Sequence, residues 1–224
     1  MNNQLKNMYT KEIKKLLDYD FNKQNFSYPF LINVPDKFIE AENKIMVLGQ
    51  ETHGWCGSLN DFNISDIEST MTKYESTFQK RILSREKSKG KSCFIHRLVK
   101  ISNRVNKIDN TKIIWNNLLK VDYNGKSSKK YKFIVDMSIE ILKKELELLK
   151  PNILLCQTGT QYDFILKKIF PDRNNLRLEP RKLWKFTYLN LTIYRINHPC
   201  ARVKGGIKKY YNECIKDIQS TLLN

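Results

Sequence analysis

The chain alternates between short apolar runs that end abruptly and longer stretches in which apolar residues return every three or four positions. Leu5, Met8, Ile13, Leu16 and Leu17 fall on one side of a helix over Leu5–Leu17. The aromatic stretch "FNKQNFSYPFLINVPDKF" follows, and Pro29 and Pro35 prevent it from forming one regular element. Lys44–Leu48 is a short buried strand, followed by helices over Asp66–Ser84 and Ser92–Val105, the second capped by Ser92. Lys112–Asn117 is the second strand, and an amphipathic helix over Lys132–Leu149 stops before Pro151. Asn152–Gln157 is the third strand, with a helix over Thr160–Ile169 behind it. "LWKFTYLNLTIYRI" is a hairpin turning at Asn190, and its second arm, Leu191–Ile196, is the fourth strand of the sheet. A helix over Ile207–Leu222 closes the chain.

Apolar strands separated by helices predict an α/β protein, a three-layer α/β/α sandwich around a mainly parallel four-stranded sheet. The 224 residues suit a single domain over 1–224 with an N-terminal helical extension over about 1–40. In open sheets of this kind, ligands bind at the C-terminal ends of the strands.

Composition narrows the function classes. No apolar run reaches the length of a membrane span, and the N-terminus lacks the apolar core of a signal peptide, so the expectation is a cytoplasmic monomer. Five scattered cysteines without a C-x-x-C pair argue against a zinc ribbon or a disulfide scaffold and predict mostly reduced side chains. Forty Lys and Arg against 23 Asp and Glu give a formal charge of +17. Such a surface attracts polyanions, and nucleic acid is the partner it predicts. The basic residues gather in three stretches, Lys80–Ser92, Asn124–Lys132 and Arg202–Tyr211.

Three strand ends carry chemistry. The first runs into "GQETHGW" (Gly49–Trp55), the second into "WNNLLK" (Trp115–Lys120), and the fourth into "NHPCAR" (Asn197–Arg202). The third, "QTGTQ", reads as a plain turn into a capped helix. Together the ends offer the carboxylate of Glu51, the imidazoles of His53 and His198, the amides of Gln50, Asn116 and Asn117, and Arg202. There is no G-x-S-x-G elbow, no glycine-rich phosphate loop and no dinucleotide fingerprint. The set suits hydrolysis of a bond whose leaving group is an anionic heterocycle: a carboxylate for water or for a cationic sugar, an amide for a base edge, a histidine for the departing anion.

"GQETHGW" with "HPCAR" resembles the two signature loops of the uracil-DNA glycosylase superfamily, whose best-known forms read GQDPYH and HPS. Between them that family carries a strand ending in a base-reading asparagine, in several branches as N-x-x-K, which Asn117 and Lys120 match. The resemblance spans roughly Lys44 to Tyr211. It implies base flipping into a pocket and a DNA N-glycosylase that needs no metal and no cofactor. It implies Glu51 and His198 as catalytic, with Glu51 handling water and His198 stabilising the leaving base. Gln50, His53, Asn117 and Phe94 would line the base pocket, and Arg202, Lys204 and Lys120 would contact DNA.

The departures bear on substrate. Thr52 replaces the proline of GQDP, His53 or Gly54 stands where the family's tyrosine excludes thymine, and Cys200 replaces the serine of HPS. A uracil-like or modified base is therefore the expected substrate. From the residues alone, Glu51 could instead cap the segment after it, and Phe94 could be core. Strand alternation lets only one of Asn116 and Asn117 face a pocket without saying which. A non-catalytic nucleic-acid-binding protein and a nucleoside or nucleotide hydrolase are the competing functions.

Overall fold

A computed structural model describes residues 1–83, 92–203 and 206–223. Residues 84–91 of the first basic stretch and Lys204 lie outside the described residues. The elements run α1 (Asn2–Asp18), α2 (Asp36–Ile39), β1 (Asn43–Gly49), α3 (Asp66–Phe78), α4 (Cys93–Val105), β2 (Thr111–Asn117), α5 (Lys132–Leu149), β3 (Ile153–Cys156), α6 (Asp163–Ile169), β4 (Asn174–Glu179), β5 (Leu183–Tyr188), β6 (Leu191–Ile196) and α7 (Ile207–Leu223). α3 runs on into a five-residue π-helical segment, Gln79–Leu83.

The sheet has six strands rather than the four expected, in the order β2-β1-β3-β6-β5-β4. The four expected strands are neighbours and pair in parallel. β5 and β4 extend the sheet antiparallel beyond β6. β4 escaped the sequence reading because "NNLRLE" is short and almost wholly exposed, so it lacks the apolar run that marks a buried strand.

Alternation along the strands sends successive side chains to opposite helix layers. On one face Asn116 reaches Glu145 of α5, and Arg195 pairs with Asp163 of α6 at 2.8 Å. On the other face Trp115 meets Phe94 of α4, and the Tyr194 hydroxyl donates to Asp217 of α7. The α/β class and the helix layers on both faces agree with the sequence expectation. Among the described residues no helix is long and apolar enough to cross a membrane.

α1 packs on α5 through Leu5, Tyr9, Ile13 and Leu16, all buried. Each such side chain contributes about 1.5–3 kcal/mol of transfer free energy. Tyr9 also joins a buried polar cluster, donating from its hydroxyl to Glu145 at 2.6 Å. Glu145 accepts in turn from Asn116 Nδ2 at 2.8 Å and from the ammonium of Lys120 at 2.6 Å, and Lys120 also donates to Asn116 Oδ1 at 2.7 Å. Burial pulls the Lys120 pKa down and the carboxylate of Glu145 holds it up.

Candidate active site

The backbone ladder continues past the strand ends and fixes the loop after β1. The amides of Leu118 and Leu119 donate to the carbonyls of Gly49 and Gln50, and Gln157 donates to Leu48. Gln50 Nε2 donates to the Thr158 carbonyl at 2.7 Å, so Gln50 bridges the ends of β1 and β3. Asp122, buried beyond β2, clamps the same loop. It accepts from Thr52 Oγ1, from the Gly54 amide at 2.8 Å and from the Gly125 amide at 2.7 Å. The outcome is that Thr52 is a hydroxyl anchor for this loop. His53 sits against the turn after β2, its Nδ1 2.5 Å from the Gly125 carbonyl, which only accepts, so Nδ1 is the donor.

These contacts frame a cavity of about 660 Å³ at the C-terminal ends of the parallel strands. Glu51, His198, Gln50, His53, Asn117 and Phe94 all line it, six of the residues singled out from sequence. Trp55, Trp115, Phe30 and Arg81 complete much of its wall. Arg81 belongs to the π-helical segment, a local geometry found often at functional sites.

Asn117, not Asn116, faces this cavity, because Asn116 is committed to Lys120 and Glu145 on the opposite face. The Trp115 indole N–H reaches Asn117 Oδ1 at 3.3 Å. An indole nitrogen only donates, so it must meet the amide oxygen, and this fixes which way the amide is turned. Among the described residues, Asn117 Nδ2 is then buried without a hydrogen-bond partner, as is Trp55 Nε1 on the same wall. An unpaired buried donor costs about 1–3 kcal/mol, a cost that a ligand acceptor offsets. Gly49 makes room for this amide: a Cβ there would fall on Asn117 Oδ1 and press on the Phe94 ring.

Glu51 accepts from the Tyr162 hydroxyl at 2.5 Å, and Tyr162 lies 2.8 Å from Ser127 Oγ. Burial pushes the Glu51 pKa above the usual carboxylate range. Hydrogen bonds from Tyr162 and Ser127 and the charge of Lys129 oppose that shift, and Asp122 adds to it. Burial, reinforced by Glu51, raises the Tyr162 phenol, which keeps it protonated as a donor. The third strand end is therefore no plain turn: it supplies the carbonyl that holds Gln50 and the phenol that holds Glu51. Nothing local in "QTGTQY" signals this, since the Tyr162–Glu51 contact spans 111 residues.

His198 stacks near Phe94, with ring centroids 6.5 Å apart and planes 13° from parallel. Its Nδ1 accepts from the Cys200 amide at 3.3 Å, which leaves the proton on Nε2. Burial lowers its pKa, so the ring is neutral at pH 7 and still a donor.

Two expectations change. Lys120 does not contact DNA: it is fully buried with its ammonium paired to Glu145. Its neighbours Leu118, Leu119 and Val121 are also fully buried, an apolar context that the N-x-x-K spacing concealed. Cys93 and Cys200 are not reduced, as Cys56, Cys156 and Cys214 are, but are bonded to each other, with the Cα atoms 5.7 Å apart. That bond ties the His198 loop to the start of α4 beside Phe94. Arg202 is exposed on the loop after His198, and Lys204 lies outside the described residues. No protein-family model matches the chain, and no curated protein matches it.

Proposed function

We propose that the protein is a DNA N-glycosylase on a uracil-DNA glycosylase-like fold, hydrolysing the bond between deoxyribose and a uracil-like or modified base flipped into the cavity. One observation carries the reading: Glu51, Asn117 and His198 come from three separate strand ends and line one cavity. Nothing local in the sequence forces that meeting, and a common chemical task explains it.

The contacts support a role for each of the three. Asn117 offers Nδ2 to an acceptor on the base edge, with its orientation set by Trp115. His198, neutral and protonated on Nε2, donates to the base oxygen where negative charge develops as the bond breaks. Glu51, ionised, orients the water that adds to the sugar carbon and takes up its proton. Tyr162 holds that carboxylate in place. The charge of +17 favours a polymer over a free nucleoside. A binding module that grips only the backbone has no use for an unpaired amide beside a buried carboxylate.

The test is incubation with oligonucleotides carrying uracil, hypoxanthine, xanthine or hydroxymethylated bases, followed by assay for alkali-labile abasic sites. One of these should be cleaved, and Asn117→Ala should reduce both the rate and the discrimination between bases. An unchanged rate and preference in Asn117→Ala would remove the amide from the mechanism.

A further inference from the structure

Beyond the turn that walls one side of the cavity, the surface carries a cluster of rings with ammonium groups set among them. Tyr19 stacks on Phe133 with centroids 5.0 Å apart and planes 19° from parallel, and Phe21 lies 4.4 Å from Phe133. Tyr123 and Tyr131, 5.0 Å apart, continue the cluster over the buried Phe26. A cleft of about 170 Å³ opens among Phe21, Phe26, Tyr123, Tyr131 and Phe133. Lys23 Nζ sits 5.2 Å from the Phe21 centroid, and Lys130 Nζ sits 5.1 and 4.9 Å from those of Tyr123 and Tyr131.

Core packing accounts for Phe26 but not for Tyr19, which is 53% exposed, nor for ammonium groups resting on ring faces. The turn Tyr123–Lys126 joins the two places: Tyr123 walls the cleft, while Gly125, two residues on, walls the cavity and contacts His53. Ring faces stack on bases of any sequence, and lysines among them meet the phosphates between those bases. A stacked duplex hides its base faces and gains nothing from exposed rings, and the chain's excess of positive charge complements a nucleic-acid strand.

We propose that this cluster is a stacking platform for single-stranded DNA, holding the nucleotides that flank the base presented to the cavity. The proposal rests on the glycosylase reading for what the strand delivers, while the binding itself is measured without catalysis. A short fluorescein-labelled oligothymidylate containing no candidate target base serves as the probe, followed by anisotropy. Tyr19→Ala removes an exposed ring and should weaken binding roughly five- to a hundredfold, with a far smaller effect on a blunt duplex of equal length. Lys130→Ala should lower the log–log salt slope by about 0.7. Wild-type affinity and salt slope in both variants would overturn the platform, as would an equal loss for single strand and duplex. The two readings fail separately: a platform that binds beside a cavity that releases no base refutes only the glycosylase, and base release with unchanged Tyr19→Ala binding refutes only the platform.

Discussion

Replacing Tyr162 by Phe removes one oxygen and leaves the ring, so it isolates the hydrogen bond that the phenol donates to Glu51 at 2.5 Å. A hydrogen bond to a charged group contributes about 1.5–3 kcal/mol, and each 1.36 kcal/mol is a factor of ten in an equilibrium. Burial already disfavours the ionised carboxylate, and Tyr162 is the first of the groups that oppose it. Without the phenol, Ser127 and Lys129 remain to favour the charge while Asp122 opposes it. The Glu51 pKa therefore moves further up, and the acidic limb of the rate profile moves with it. Below that limb, base release should fall roughly ten- to a hundredfold, and the deficit should shrink as pH rises. Single-turnover base release across a pH series, wild type against Tyr162→Phe, reads this directly. A carbon-13 titration of the Glu51 carboxyl in both proteins reads the same displacement without a substrate. Superimposable acidic limbs and identical titrations would refute the coupling.

Glu51→Gln should cut base release by about a hundredfold or more, with DNA affinity nearly intact. Because burial raises the Glu51 pKa, the folded chain binds this proton more tightly than the unfolded chain. Stability from this group is present at low pH and is lost as pH rises through the folded pKa. The amide variant should thus melt higher than wild type at neutral pH, and a lower Tm would contradict the assigned shift. Gly49→Ala should leave the far-ultraviolet circular dichroism unchanged while displacing the Asn117 amide and the Phe94 ring, so base release falls; full activity would show that the amide tolerates displacement. The Cys93–Cys200 bond closes a segment spanning 107 residues, which corresponds to about 4–5 kcal/mol of loop-closure entropy. Dithiothreitol, or Cys93→Ser, should lower Tm by roughly 10 °C or more; coincident melts with and without reductant would count against the bond.

Most of the fold was legible because buried parallel strands are continuous apolar runs, and Ile45–Leu48, Ile113–Trp115, Ile153–Cys156 and Ile193–Ile196 are all buried. β4 was not legible, since its exposed residues pair along the sheet edge and carry no apolar signature. Within the candidate site, residues next to strand ends were found because position along a strand largely determines position in space. Tyr162 and Asp122 were missed because their partners are distant in sequence: Tyr162 meets Glu51 from beyond β3, and Asp122 meets Thr52 from beyond β2. Lys120 was misread for the opposite reason: its spacing matched a motif while its partner, Glu145, lay hidden on the apolar face of the following helix.

The hydroxyl of Tyr9 has a consequence for where this chain can be cut. A fragment beginning at β1 would keep every signature motif and, Phe30 apart, every residue that lines the cavity. It would also strip Glu145 of its phenolic donor, directly behind the strand that presents Asn117, and bare the apolar surface of α5 to water. The smallest portable unit is accordingly set by a side chain at position 9 and not by the motifs. Libraries or fusions trimmed to the motif boundaries would sample a damaged scaffold while appearing complete on paper.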